Sequence, residues 1–435
     1  MSLKRPRRLA SAALLAVAVL ALAACGEQYP NSTFTQLTDQ NTAILSLWNL
    51  VLRLGTIVFV FVEVLLIFTI IRFRRREGAP APKQTHGHAG LEITWTIIPA
   101  LILAMIAVPT VRTIFQTQAP APAGAVEVEV IGHQWWWEFR YPQYGVVTAN
   151  ELYLPAGRAA SFTLVTRDVI HSFWTPQLGG KRDLISNHTN LLWYTPNASI
   201  TESVYNGFCT EYCGSSHANM RFRVYVVSPE NFASWAGHQA TQAVTAVAPA
   251  VPPAASGTAR ITAASLVGGV NTPAALPPVA TSTEGYVYPA GKLPDHVIPK
   301  TPVPAGLAFD DALLAQGDVA RGRDLVTNPA NMGKAPCLTC HIIKGEGIPG
   351  MLKDDQAKGP NLTHVATRHT FAGGVYAADA KSLARWIKNA PLMKPGVTMP
   401  TFGIGQYNAA MKANVTTGLD DRQIADIVAY LMALK

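Results

Sequence analysis

Cysteine is scarce in this chain, with five among 435 residues, and none of the five is left without a context. Cys25 follows a hydrophobic leader. Cys209 and Cys213 share the stretch C209-T-E-Y-C-G-S-S-H-A-N-M220, and Cys337 and Cys340 belong to C337-L-T-C340-H341. Charge is sparse too, at 14% of residues, and acidic side chains are absent from the first 24 positions. The formal net charge of +8 resides in two short segments. One is the leader, with Lys4, Arg5, Arg7 and Arg8; the other runs from 72 to 90 and carries five basic residues and one acidic. The remainder balances near zero, which excludes a nucleic-acid surface and makes the basic pI a report of export and membrane topology.

Residues 1–24 read as an export signal, with basic residues ahead of an apolar run from Ala10 to Ala24 that is too short to span a bilayer. It ends L22-A23-A24-C25-G26, which resembles a bacterial lipoprotein processing site and implies lipid on Cys25; an ordinary small-residue cleavage site with an incidental cysteine is the alternative. Within residues 25–120, two apolar segments at about 47–71 and 91–115 are long enough to cross a membrane. The basic stretch between them places their connection in the cytoplasm and both ends of the mature chain outside.

From 121 to 236, short alternating runs such as V126-E-V-E-V-I131 and R221-F-R-V-Y-V-V227, separated by Pro, Gly and Asn turns, predict a small antiparallel β-sandwich or barrel. Residues 237–306, rich in Ala, Pro, Val, Thr and Gly, read as an extended tether. From 307 to 435, F309-D-D-A-L-L-A-Q-G and L419-D-D-R-Q-I-A-D-I-V-A-Y-L-M predict amphipathic helices on either side of the Cys-x-x-Cys-His motif, giving a small all-α region.

An exported Cys-x-x-x-Cys pair is readily a disulfide. Here, however, His217 and Met220 follow closely, and His171 ends a predicted strand in V169-I-H-S-F-W174. Two thiolates, two imidazoles and a thioether are soft donors that suit copper. Five exceed the needs of one ion, whereas two thiolates on one loop can bridge two. Structural zinc is the other alternative, although it does not call for Met220.

H171-S-F-W, K181-R-D, C209-T-E-Y-C-G-S-S-H-A-N-M220, G132-H-Q-W-W-W-E138 and the two spans together resemble subunit II of the haem-copper cytochrome c oxidases, over about residues 40–235. The resemblance implies a cupredoxin-like Greek-key domain holding the dinuclear CuA centre. It also implies copper ligands His171, Cys209, Cys213, His217, Met220 and the backbone carbonyl of Glu211. Bridging thiolates spread one unpaired electron over two ions, so reorganisation is small. Such a relay needs no open position for substrate.

C337-L-T-C340-H341 is the pattern for covalent haem c, with His341 as proximal ligand; a redox dithiol is the alternative. Residues 309–435 resemble a class I cytochrome c, which implies Met399, in K394-P-G-V-T-M399-P400, as the sixth ligand, with Met393 and Met411 as competitors. G359-P-N-L362 resembles the segment beside the proximal histidine, so Pro360 is expected there.

Trp135, Trp136 and Trp137 are expected on one strand, with Trp136 facing opposite the other two. The oxidase resemblance makes Trp135 the surface residue where electrons arrive and the candidate dock for the haem domain. Glu92 reads either as a solvated helix start or, by resemblance, as a proton-uptake residue. Glu63, inside the first span, is expected to face a partner subunit and is too far along the helix from Arg53 to pair with it. The Glu211 carboxylate is expected, by resemblance, at a magnesium ion shared with subunit I, and Lys181, Arg182 and Asp183 read as an interface segment or a solvated loop. His86, His88, His188, His238, His296, His364 and His369 have no motif context.

The expected whole is a multidomain membrane protein: a two-helix transmembrane hairpin, an all-β cupredoxin-like domain and an all-α cytochrome c domain. The resemblance implies an electron-input subunit of a bacterial terminal oxidase that partners subunit I and subunit III. It would be fed by a cytochrome c or a quinol-cytochrome c reductase complex and coupled to proton pumping. A nitric or nitrous oxide reductase component and a stand-alone electron carrier or copper-handling protein are the alternatives. The tether is expected to raise the effective concentration of the haem domain at the copper domain.

Overall fold

The computed structural model describes residues 29–75, 77, 78, 84, 86–243, 285–346, 352 and 356–435, with 15–17 and 19 of the leader. Cys25 and residues 244–284 lie outside the described residues.

Two long helices open the described chain, α1 (Asp39–Phe73) and α2 (Ala89–Gln118). The Thr38 hydroxyl starts α1 by accepting the Asn41 amide. The His88 ring starts α2 by accepting the Leu91 amide, and Glu92 accepts the His88 amide in return, at 3.1 Å. Their apolar side chains, Phe59, Ile67, Ile97 and Leu103 among them, are bare to the surroundings. Helices of 35 and 30 residues reach about 50 and 45 Å at 1.5 Å per residue, ample for a bilayer. Their outer ends are fastened to the next domain: Thr38 donates to Leu178, the Thr195 amide to Asp39, and the Trp193 indole to the Ala119 carbonyl.

That domain packs two five-stranded sheets face to face. One is ordered β3 (Val146–Ala149), β2 (Trp136–Tyr141), β1 (Val126–His133), β5 (Ala160–Thr166), β8 (Asn190–Tyr194). The other is ordered β4 (Glu151–Pro155), β10 (Arg221–Val227), β9 (Ser203–Cys209), β6 (His171–Trp174), β7 (Arg182–Leu184). The expected sandwich is present, but the sheets are mixed: β1 pairs with β5, and β4 with β10, in parallel. Each parallel pair joins strands far apart in sequence, where the connection is long enough to reverse direction. Val126, Val128, Val130, Phe139, Phe162, Phe173, Leu184 and Phe222 fill the interior. The sandwich is closed at one end by α3 (Pro229–Gln239), whose Trp235 stacks on Tyr153 and meets Tyr141 edge-on, with Phe232 tilted against Tyr141.

Part of the stretch read as tether is packed. Gly237, His238 and Gln239 are buried in α3, and Tyr288 and Val297 are buried in the sandwich core. The Gly285 amide donates to the His238 ring at 3.3 Å and the Tyr286 amide to Ser234 at 3.1 Å, so residues 285 and 286 lie against α3.

The C-terminal domain is built on α4 (Val319–Thr327), α5 (Ala380–Met393) and α6 (Asp421–Leu431). The segment after Phe309 forms only a 3-10 helix, Asp311–Gln316, because Asp318 caps a new helix directly after Gly317. A Cβ on Gly322 would lie 1.9 Å from the Asp426 carbonyl, so glycine there lets α4 cross α6 at backbone contact. Asp426, nearly fully buried, accepts from the Asp318 amide and the Arg321 guanidinium. Two short hairpins, β11 (Thr370–Phe371) with β12 (Tyr376–Ala377) and β13 (Tyr407–Asn408) with β14 (Ala413–Asn414), qualify the all-α expectation.

Candidate metal and haem sites

The soft donors of the β-domain meet between the end of β6 and the loop from β9 to β10. Cys209 ends β9, and Cys213 hangs from the loop with its Sγ 3.7 Å from that of Cys209, both thiols free and buried. The separation is far from the ~2.05 Å of a disulfide. His171 Nδ1 lies 3.8 Å from Cys209 Sγ, and the Glu211 carbonyl oxygen lies 3.3 Å from the same sulfur. On the other side, His217 Nδ1 and Met220 Sδ lie 3.5 and 3.8 Å from Cys213 Sγ. Ligand atoms of His171, Cys209 and Cys213 fall within 4.8 Å of one another. Four donor atoms thus flank one sulfur pair, two toward each sulfur counting the carbonyl, and the six together are a soft set that would suit a pair of copper ions.

The electrostatics favour that use. Hydrogen bonding from Cys213 draws the Cys209 thiol down toward thiolate against its burial, while the same contact pushes Cys213 up. Asp168 accepts from His171 Nε2 at 2.7 Å, which fixes the ring with Nδ1 toward Cys209. Burial opposes a charged His171, but the Asp168 bond and Cys209 outweigh it and raise its pKa. The second carboxylate oxygen of Asp168 takes the Gln134 amide, joining the site to the β1–β2 hairpin.

Trp135 sits at the tip of that hairpin, in the turn and not on a strand, and follows a cis peptide bond. Only Trp136 and Trp137 alternate; Trp136 stacks on His133 at 4.2 Å and Trp137 is core. The Trp135 indole donates to the Cys213 carbonyl at 2.9 Å, and the Gln134 side chain donates to the same oxygen at 2.7 Å. Although expected at the surface, Trp135 is 8% exposed because the C-terminal domain covers it. Gly396 is so close that a Cβ there would meet the indole ring at 2.8 Å. Lys394 donates to the Trp135 carbonyl, and burial pushes its ammonium down to about 7.

In the C-terminal domain, Cys337 and Cys340 are free and half-buried, at either end of a 3-10 turn that delivers His341. His341 Nδ1 donates to the Pro360 carbonyl at 2.7 Å, which leaves Nε2 without that bond and able to serve as a ligand, and burial lowers the pKa of the ring. A Cβ on Gly359 would lie 2.5 Å from the ring. Met399 packs, partly buried, against the same core cluster as Leu338, Leu362 and Phe402. Met393 is buried in a different cluster with Val375 and Tyr376, and Met411 is 66% exposed. Of the three candidate methionines, Met399 is the one that packs against the core cluster containing Leu338 of the Cys-x-x-Cys-His turn.

The remaining sequence candidates separate from these sites. The Glu211 side chain is exposed, and among the described residues no further carboxylate joins it in a cluster of potential ligands. Glu92 serves as the capping partner of His88. Arg182 and Asp183 lie on β7, and Lys181 and Arg182 line a cleft against Ile44 and Thr113 of the long helices. His364 and His369, without motif context, both lie where the two domains meet. Asp168 and Lys394 carry no sequence signal, since each acts through contacts with residues placed by the fold.

Three family models match in order: the cytochrome c oxidase subunit II transmembrane domain over 35–113, its periplasmic domain over 146–227 and cytochrome c over 319–435. The chain is 38% identical over 195 residues to cytochrome c oxidase subunit 2 of Alkalihalophilus pseudofirmus, covering 43% of this chain and 56% of that one. It is 30% identical over 271 residues to cytochrome c oxidase subunit 2 of Thermostichus vulcanus, covering 50% of this chain and 80% of that one. The chain spans about half the length of the first curated relatives it matches. The crystal structure of the periplasmic domain of subunit II of cytochrome oxidase of Bradyrhizobium japonicum is similar at 28% identity and TM-score 0.26, over 27% of this chain and 95% of that one.

Proposed function

The chain belongs to the cytochrome c oxidase subunit II family, and we propose that it is the electron-input subunit of an aerobic terminal oxidase with its own fused cytochrome c. The observation that carries this reading is the gathering of His171, the Glu211 carbonyl, His217 and Met220 around the free Cys209 and Cys213 thiols. In this reading these six hold a dinuclear copper centre, and Cys337, Cys340, His341 and Met399 hold haem c. Each group supplies one-electron redox chemistry when bound.

The chain's own residues supply position. Asp168 fixes the His171 ring, and Gln134 and Trp135 pin the Cys213 backbone from the hairpin side. Pro360 fixes the His341 ring, and burial of the thiol pair excludes water from it. With every donor already committed around the sulfurs, no position is reserved for a substrate, so oxygen chemistry falls to a haem-copper subunit I. Electrons pass from an external cytochrome c or a quinol-cytochrome c reductase complex to the C-terminal domain, across to the β-domain and on to subunit I, where oxygen reduction is coupled to proton pumping.

The α1–α2 hairpin anchors the chain in a bacterial cell membrane with both redox domains outside, assisted by lipid on Cys25, and subunit III completes the partners. Glu211 offers its exposed carboxylate to a magnesium ion shared with subunit I. Glu92 stands at the cytoplasmic start of α2 for proton uptake.

The test is oxygen uptake by the detergent-solubilised complex that co-purifies with the tagged chain, driven by a small-molecule reductant of haem c. Rapid, cyanide-sensitive uptake that disappears in Cys213→Ser is expected. Consumption of nitric or nitrous oxide in place of oxygen would move the protein to a denitrification enzyme.

A further inference from the structure

The C-terminal domain meets the β-domain through charged groups that are almost fully buried. Glu151, at the start of β4, is 2% exposed, and its Oε1 accepts the His369 amide at 2.7 Å, the Thr370 amide at 2.9 Å and, at 3.4 Å, the Thr370 hydroxyl. Lys394, 2% exposed, donates from the other side to the Trp135 carbonyl at 2.5 Å and the Ala372 carbonyl at 2.8 Å. Arg223, beside Glu151 in the register of β10 and β4, reaches the Gly374 carbonyl at 3.3 Å. Backbone contact follows the same line, with the Arg221 amide donating to the Gly373 carbonyl at 2.8 Å and Ser216 donating to the Pro395 carbonyl at 2.5 Å.

Glycines make the approach possible. Gly373, Gly374 and Gly396 all have positive φ, and a Cβ would meet the Asn219 and Trp135 carbonyls from Gly373, the Arg221 carbonyl from Gly374 and the indole from Gly396. Chain bearing a side chain at these three places does not reach the hairpin tip.

Resting on the reading above, we propose that Glu151 and Lys394 are positioning residues that clamp the C-terminal domain in one fixed pose over Trp135, so that the hairpin tip is occupied by residues 372–374 and 394–396 of this same chain. The clamp gives register more than raw affinity. Burying an ammonium and a carboxylate is unfavourable unless each finds its hydrogen bonds, and a shifted pose leaves both unpaired in low dielectric. The haem domain is therefore docked, and its contact with the copper loop does not depend on a diffusive search.

The test is hydrogen exchange on the full chain in its isolated complex, together with the rate of electron transfer between the two domains as solvent viscosity is raised. In the unmodified chain the amides of His369 and Thr370 should be protected like those of β10, and the transfer rate should not follow viscosity. In Glu151→Gln with Lys394→Met, protection of these two amides should fall by about tenfold or more, while β9 and β10 keep theirs and transfer becomes viscosity-dependent. Gly396→Val, which wedges the indole and leaves both charged groups in place, should do the same. Unchanged protection in both variants, or viscosity-dependent transfer in the unmodified chain, would overturn the clamp. Absence of copper or haem signals from the unmodified chain would overturn the electron-input reading, and leaves the exchange result interpretable.

Discussion

Asp168 holds His171 from behind, Oδ1 to Nε2 at 2.7 Å, and so decides which ring nitrogen faces the thiols. Asp168→Ala frees the ring while leaving every proposed copper ligand in place. Copper affinity should drop by about 10- to 100-fold, read by competition with a calibrated chelator. An unchanged affinity would mean that packing alone sets the ring.

Gly359 lies against the flat of His341, and Gly359→Ala would put a methyl 2.5 Å from Cε1. Because the ring is also tied to Pro360, it cannot yield without losing that bond. The variant should lose about 1–3 kcal/mol of domain stability and lower the yield of covalent haem, measured by Soret absorbance per chain.

Met399 and Met393 make opposite predictions. Met399→Ala should lower the haem reduction midpoint, since a methionine axial ligand raises it, and should leave copper content unchanged. Met393, in its own cluster with Val375 and Tyr376, should affect stability on truncation and leave the midpoint where it is. Potentiometric titration of the two variants separates them.

Asp426 ties α6 to the start of α4. Burial alone would raise its pKa, but the Arg321 and Asp318 bonds outweigh burial and hold it below the ordinary value. Its stabilisation is therefore fully present above the unfolded carboxylate range near 3.9 and is lost as pH falls through the depressed folded value. Acid titration followed at the Soret band should show the C-terminal domain loosening below about pH 4. Asp426→Asn should remove about 2 kcal/mol at neutral pH and blunt that acid transition.

What was legible in the sequence is what lies close along it. Cys209, Cys213, His217 and Met220 lie close along the chain, and their spacing alone brings four donors together, with the Glu211 carbonyl added by the family resemblance; Cys337, Cys340 and His341 share one turn. His171 was legible from the pattern of H171-S-F-W174, although it opens β6 where the sequence suggested the end of a strand. Asp168 was not, because an aspartate in a turn is ordinary until the fold aims it at a ring. Glu151 and Lys394 were still less so, since their partners lie 218 and 259 residues away. Trp135 was assigned to a strand because three consecutive tryptophans give no sign of where a hairpin turns. The parallel pairs β1–β5 and β4–β10 were missed because alternation reveals a strand's faces and is silent on its neighbour's direction.

The meeting of Gly285 with His238 gives residues 244–284 a different standing from that of a leash. The chain is already held against both domains by described residues on either side of that segment, His238 meeting Gly285 and Ala243 packing on the C-terminal core, so the placement of the two domains does not rest on it. What carries the chain onward is 285–306, strapped to the sandwich through Tyr288 and Val297. Lengthening the insert twofold would cost only about 0.6 kcal/mol of loop-closure entropy. A protease cut within it would yield two fragments that stay together and keep their geometry. The insert is thus a natural position for an affinity tag or a reporter domain, with the spacing between the two redox sites left untouched.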